Sequence, residues 1–206
     1  MNILLQTVLN IMYPAKCSVC KVFSNEIVCG KCMSDIDYIC RIENGAYCVA
    51  AYIGTMKKAV KSFKFRKKKE LGDVLGMIIS GRLPSMNADI IIPVPLHRTR
   101  MKERGFNQSE LLALSLSRCK GLPVIADALI RVRETRPQFE LHKYERENNV
   151  RGAFEVTNRA AIQGKRILLL DDICTTGSTI KECTKTLLEN GAVSVASVCL
   201  TRAVEL

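Results

Sequence analysis

Four apolar residues in unbroken succession, Ile167 to Leu170, run directly into Asp171 and Asp172. An uninterrupted run of this length suits a strand buried on both faces of a parallel sheet, with the acids at its carboxyl end. Thr175 to Thr179 follow as a Thr/Gly/Ser turn. The chain then switches to helical spacing, so Thr179–Asn190 reads as a helix stopped by Gly191, and Val193–Leu200 as a strand. Upstream, the pattern predicts a short amphipathic helix over Ile3–Met12, a first strand over Tyr47–Gly54, and helices over Met56–Phe65 and Glu70–Arg82. A parallel strand over Asp89–Val94 ends in Pro-Val-Pro; a helix over Phe106–Arg118, a strand over Ala128–Val132 and the central strand over Arg166–Asp171 complete the series. Strands alternating with helices predict the α/β class.

Composition narrows this picture. With 206 residues the chain has room for one core of about 150 residues and a small appendage. The absence of Trp makes that core aliphatic. No stretch approaches the roughly 18 apolar residues of a membrane span, and the N-terminal run, interrupted by Gln6, Thr7 and Asn10, lacks the basic flank of a signal peptide. A cytoplasmic protein without a transmembrane segment is expected. The net charge of +11 is unevenly placed: residues 1–50 are balanced, whereas residues 51–110 carry 13 basic against 5 acidic side chains. That concentration points to a polyanionic ligand or partner.

Four of the ten cysteines, Cys17, Cys20, Cys29 and Cys32, spell C-x2-C-x8-C-x2-C. Each pair forms a knuckle aiming two thiolates at one ion, and two knuckles complete a tetrahedral site. Structural zinc is the leading reading; an iron–sulfur cluster and unbound or disulfide-linked thiols are the alternatives. Residues 1–48 are therefore expected as a helix and a four-cysteine zinc finger too small to fold without metal, and residues 49–206 as the main domain. Cys40 and Cys48, with seven residues between them, match no common ligand pair and read as ordinary buried thiols. Cys174 lies near a helix N-terminus, which lowers a thiol pKa, but the chemistry inferred below needs no thiol nucleophile.

The segment from Ile167 to Ile180 carries the clearest chemistry. Hydroxyls, backbone N–H groups and Gly177 at a helix start favour a phosphate. The paired acids suit vicinal sugar hydroxyls, which donate to carboxylates. Neither G-x-x-x-x-G-K-[ST] nor G-x-G-x-x-G occurs, so a P-loop or dinucleotide site has no local support. The implied ligand is a ribose phosphate; the plain alternative is a strand end with helix caps and solvated acids.

The same segment resembles the signature of type I phosphoribosyltransferases. Together with IIPVPLHRTRMKERGFNQSELLA from Ile91, RVRETRPQFELHKYERENNVRGAF from Arg131, KSFKFRKK and the N-terminal cysteines, it resembles the ComF competence family over nearly the whole chain. RGFNQ, Thr135 to Gln138 and Glu145 to Val150 are the specific parts. Some relatives carry additional cysteine pairs after the first four, so the finger here is reduced. The resemblance implies a type I phosphoribosyltransferase fold, a parallel sheet flanked by helices, with a small N-terminal zinc finger. It implies Mg²⁺-bound phosphoribosyl pyrophosphate as ligand, single-stranded DNA and other DNA-uptake proteins as partners, and a role in natural transformation. Asp171, Asp172, Thr175, Thr176, Gly177, Ser178 and Thr179 would hold ribose and 5-phosphate. Leu96, His97, Arg98, Arg100 and Arg104 would hold pyrophosphate, and Arg133, Gln138, Arg146 and Asn149 would belong to a mobile cover that excludes water. The catalytic residues and acceptor are unassigned; His97, as a lone histidine, reads as structural before it reads as a base. A nucleobase or amine phosphoribosyltransferase, and a regulator that senses phosphoribosyl pyrophosphate, are the alternatives.

Between Lys57 and Lys69, eight basic residues interleave with Phe63 and Phe65. Lys57, Lys61, Lys64, Arg66, Lys67 and Lys68 would neutralise nucleic-acid phosphates while an aromatic ring stacks on a base. A solvated helix face with inward phenylalanines is the competing reading.

Overall fold

A computed structural model describes residues 15–65, 68–134 and 149–203. Along them run α1 (Gly30–Ser34), β1 (Tyr38–Glu43), β2 (Ala46–Ala51), α2 (Gly54–Phe65), α3 (Leu71–Arg82), β3 (Ile90–Pro93), α4 (Arg98–Arg104), α5 (Gln108–Lys120), β4 (Leu129–Arg131), β5 (Phe154–Val156), α6 (Arg159–Ile162), β6 (Arg166–Cys174), α7 (Ser178–Glu189) and β7 (Ser194–Arg202). Five strands form one sheet in the order β1-β2-β7-β6-β3, all parallel except the edge strand β1. β4 and β5 pair as a separate antiparallel ribbon.

Side chains of a strand alternate between faces, which explains the unbroken apolar run in β6. Leu168 and Leu170 enter one core with Val60 and Phe63 of α2, Leu75 and Ile79 of α3, and Leu112 and Leu116 of α5. Ile167 and Leu169 enter the other, with Ile180, Cys183 and Leu187 of α7 and Phe154 of β5. Both faces are covered, so β6 stays apolar from Ile167 until the acids at its carboxyl end. The Cα register of β3 with β6 ends at Pro93 opposite Leu170, and the last bond runs from the Val94 N–H to the Leu170 carbonyl at 2.9 Å; the Val94 carbonyl turns to Asn107 instead, and Pro95 has no N–H to carry the ladder further. Pairing of β6 with β7 runs on to Cys174 opposite Arg202. This difference in length opens a crevice at the carboxyl ends of the strands, with Asp171 and Asp172 on its wall.

Three expectations shift. β6 continues past Asp171, since β7 keeps pairing and the Thr201 hydroxyl donates to the Asp172 carbonyl at 3.0 Å. Residues 98–104, for which the pattern predicted no element, are helical: His97 caps the start and Gly105, with φ of 77°, ends it in the left-handed region. The boundary expected after residue 48 falls inside β2, and the sheet begins at β1, whose mixed burial gave no clean alternation. Cys17, Val19, Val28, Cys32 and Ile36 of the finger share the core with Met56, Ala59 and Val60 of α2. The helix expected over Ile3–Met12 lies outside the described residues. Among those described, no helix is long and apolar enough to cross a membrane.

Candidate functional site

Asp171 and Asp172 sit adjacent on one strand but face different partners. Asp171 Oδ1 accepts from the Ser109 hydroxyl at 2.9 Å and from the Asp172 N–H at 2.8 Å. Burial, and then the charge of Asp172 beside it, push the Asp171 carboxyl up to about 7. Asp172 Oδ2 is ion-paired with Lys64 Nζ at 2.7 Å, and both side chains are largely buried. The two acids are therefore held by different helices, Asp171 by α5 and Asp172 by α2.

Ser109 owes its place to the RGFNQ segment. Arg104 closes α4, and Gly105 turns the chain. Phe106 packs on Phe63 with ring centroids 5.6 Å apart. The Asn107 side chain caps α5 by accepting from Ser109 N at 3.1 Å and donates to the Val94 carbonyl at 3.0 Å. Asn107 thus ties the end of β3 to the start of α5, which delivers Ser109 to Asp171.

After β6, Gly177 has φ of 78° and starts α7 without a side-chain cap. Thr176 and Ser178 are buried, with their hydroxyl oxygens 2.7 Å apart, so they brace the loop. Thr175 and Thr179 instead line a cavity of about 590 Å³ shared with Asp171 and Asp172. Lys57, Lys61, Lys64, Arg100, Arg104 and Arg131 line it too, and Tyr52, Phe65 and Gln108 add two rings and an amide. A cavity with six cations and two acids suits a ligand carrying several anionic groups and a few hydroxyls.

The expected pyrophosphate residues divide. Leu96, Arg100 and Arg104 line the cavity. Arg104 donates to Gln108 Oε1 at 2.8 Å and lies over the Phe65 ring. His97 is a helix cap, its Nδ1 accepting from Thr99 N at 3.4 Å, and exposed Arg98 is not among the lining residues. Arg133 donates to the carbonyls of Asn149 and Arg151, at 3.1 and 2.6 Å, joining the two ends of the expected cover. Gln138 and Arg146 lie outside the described residues.

The basic segment also divides. Lys64 does not present a free charge to solvent as a DNA-contacting face would require; it points inward to Asp172 because the helical turn that buries Phe63 brings Lys64 to the acids. Lys57 and Lys61 are exposed at the cavity wall, and Lys68 pairs with Glu70 at 3.4 Å. Arg66 and Lys67 lie outside the described residues. Phe63 is fully buried, whereas Phe65 is 67% exposed. Ser109, Gln108, Arg131 and Tyr52 were not singled out by sequence. Gln108 closes the RGFNQ motif, Ser109 follows it directly and Arg131 opens the second quoted segment, while Tyr52 carries no local signal.

At the finger, the Sγ atoms of Cys17, Cys20, Cys29 and Cys32 lie within 4.8 Å of one another. The N–H groups of Val19 and Cys29 both point at Cys17 Sγ at 3.4 Å, stabilising a thiolate there. This donor set fits a tetrahedral metal such as zinc. Cys40 and Cys48 stand apart from it: Cys40 Sγ contacts the Val49 carbonyl at 3.6 Å, and Cys48 is wholly buried. Cys174 lies in the core and does not line the cavity; the thiols of Cys199 and Cys48 beside it draw its pKa down to about 4.

Residues 119–205, which hold the acids and the loop, match the phosphoribosyl transferase domain family. DNA utilization protein YhgH of Shigella flexneri is 32% identical over 185 residues, 86% of this chain and 79% of that protein. Competence protein ComFC of Bacillus subtilis is 35% identical over 158 residues, 75% of this chain and 62% of that protein. The chain belongs to the ComF family of phosphoribosyltransferase-like proteins. Among solved structures, the glutamine phosphoribosylpyrophosphate amidotransferase of Bacillus subtilis is 25% identical with a TM-score of 0.42, covering 64% of this chain and 25% of that one. The mostly parallel sheet flanked by helices is the type I phosphoribosyltransferase fold that the family implies.

Proposed function

We propose that this ComF-family protein binds Mg²⁺-bound phosphoribosyl pyrophosphate in the cavity at the carboxyl ends of β3 and β6, and acts on incoming single-stranded DNA in the cytoplasm during natural transformation. The carrying observation is the union in one cavity of Asp171 and Asp172, the Thr175 and Thr179 hydroxyls, and six cationic side chains. The 5-phosphate goes to the Thr175–Thr179 loop at the start of α7, and the ribose hydroxyls to Asp171 and Asp172. Pyrophosphate goes toward Arg100 and Arg104, where cations neutralise a leaving group as it departs. Mg²⁺ arrives with the ligand, and zinc holds the finger through Cys17, Cys20, Cys29 and Cys32.

Support for DNA comes from Lys57 and Lys61 at the wall of a cavity that the exposed Phe65 ring also lines. The nucleic-acid strand and the sugar phosphate are thereby neighbours, and Lys64 stands between the basic helix and the acids. Calorimetry with Mg²⁺ and phosphoribosyl pyrophosphate tests the reading. Wild type binds, and the Asp171→Asn, Asp172→Asn double variant loses about 1–3 kcal/mol per charged hydrogen bond removed. Equal affinities would reject the site. Pyrophosphate release over a panel of nucleobases, amines and single-stranded DNA separates a transferase from a sensor of the same ligand.

A further inference from the structure

We infer that Asn44, in the N-terminal hairpin and outside the matched residues 119–205, is the positioning residue of the Thr175–Thr179 loop for a phosphate monoester; this rests on the sugar-phosphate reading of the cavity. Asn44 and Gly45 form the two-residue turn between β1 and β2, with φ of 52° and 82°. Asn and Gly are the residues such a turn prefers, since both of its central positions need positive φ. The turn reaches the phosphate loop 131 residues further along the chain: Asn44 Nδ2 donates to the Thr175 carbonyl at 2.7 Å.

A second contact comes from the other end of the loop. A Cβ on Gly177 would stand 2.2 Å from the Asn44 carbonyl oxygen and 2.9 Å from its Cβ. Gly177 is therefore glycine for two reasons, its positive φ and its packing on Asn44. The turn is itself clamped, with Glu43 Oε2 ion-paired to Arg202 Nε at 2.9 Å and the Cys174 thiol 3.9 Å from the Glu43 carbonyl.

The consequence is chemical. Loop N–H groups and hydroxyls attract an anion, whereas loop carbonyls repel it. The Asn44 amide takes up the Thr175 carbonyl, and its backbone fixes where Gly177 begins α7. The hairpin thus sets the shape in which the loop meets a phosphate, and the phosphate site extends into the part of the chain that follows the finger.

Two variants test this. Asn44→Gly keeps the positive φ and removes the donor; Asn44→Asp keeps the shape and turns a carboxylate toward the carbonyl. Full-length proteins are titrated calorimetrically with phosphoribosyl pyrophosphate, ribose 5-phosphate and inorganic pyrophosphate, each with Mg²⁺. Both variants are expected to lose about three- to tenfold in affinity for the two 5-phosphates, as for one hydrogen bond, with pyrophosphate binding unchanged. Unchanged 5-phosphate binding, or a parallel fall in pyrophosphate binding that marks general loosening, overturns the inference alone. A wild-type protein that binds no 5-phosphate overturns the ligand reading and the inference with it.

Discussion

Lys64 and Asp172 form an ion pair at 2.7 Å that joins the basic helix α2 to the acidic end of β6. The pair is largely shielded from water, so its members depend on each other far more than a surface pair would. It also links two regions that sequence treats as separate, a cationic face and a sugar site.

Replacing Lys64 by Met should therefore act on stability and on ligand binding together. Removing one partner leaves a buried carboxylate uncompensated beside Asp171, which costs roughly 3 kcal/mol. Urea denaturation at neutral pH measures that loss, and calorimetry should record altered affinity for phosphoribosyl pyrophosphate in the same protein. Wild-type values for both would mean that the pair has no energetic weight.

Asp171 gives a pH dependence whose direction is fixed. Its folded pKa of about 7 stands above the ordinary value of 3.8, so between these values the folded chain holds a proton that the unfolded chain has released. Its contribution is fully present below pH 3.8 and is lost as pH rises through about 7. Asp89, pulled down to about 2 by Arg166, slopes the other way at lower pH, so the Asp171 effect is read as a difference between proteins. Relative to wild type, Asp171→Asn should gain stability as pH rises from 4 to 7 and change little above that, by at most about 4 kcal/mol for a shift of this size. Parallel pH profiles for the two proteins would contradict the raised pKa.

The contrast between Leu168 and Lys64 explains how much of this was legible in the sequence. Leu168 belongs to a run whose length and composition admit one environment, so β6, its place between two layers and the acids at its end could be read directly. Lys64 belongs to a segment whose composition announces charge but not direction. Whether a lysine meets solvent or an acid depends on which helical face is buried, and Phe63 and Phe65 gave that face conflicting signals. The long-range partners Asn44 and Thr175, and Ser109 and Asp171, were invisible for a related reason: their meeting is set by sheet order and strand length, not by local pattern. The spacing of the four finger cysteines carried its geometry openly, since two knuckles converge wherever the intervening loop allows.

For the finger, one zinc per chain is expected, and Cys29→Ser should lose it. Finger residues Val19, Val28 and Ile36 share one core with Met56, Ala59 and Val60 of α2, so metal loss should raise hydrogen exchange across residues 15–37 and spread to α2, while the central strands β6 and β7 stay protected. Elemental analysis showing full zinc in the variant would reject the ligand assignment.

Nucleic-acid binding should follow the orientation of the lysines. Lys57 and Lys61 are exposed at the cavity wall that Phe65 also lines, with Lys57 Nζ 5.9 Å from the centre of the Tyr52 ring, whereas Lys68 is ion-paired with Glu70 and Lys64 with Asp172. Reversal of Lys57 and Lys61 to Glu should therefore weaken single-stranded DNA binding strongly, and reversal of Lys68 only slightly. Each DNA phosphate left without its lysine should also flatten the salt dependence, by about 0.7 log units in binding constant per log unit of salt. Because these lysines share a cavity with the acids, saturating Mg²⁺ and phosphoribosyl pyrophosphate should change the affinity for DNA, and DNA should change the affinity for the sugar phosphate by the same factor. Fluorescence anisotropy of a labelled oligonucleotide, with and without the sugar phosphate, reads all three effects. An unchanged DNA affinity in the Lys57, Lys61 double reversal would return this face to plain solvated surface, and DNA binding indifferent to the sugar phosphate would separate the two sites.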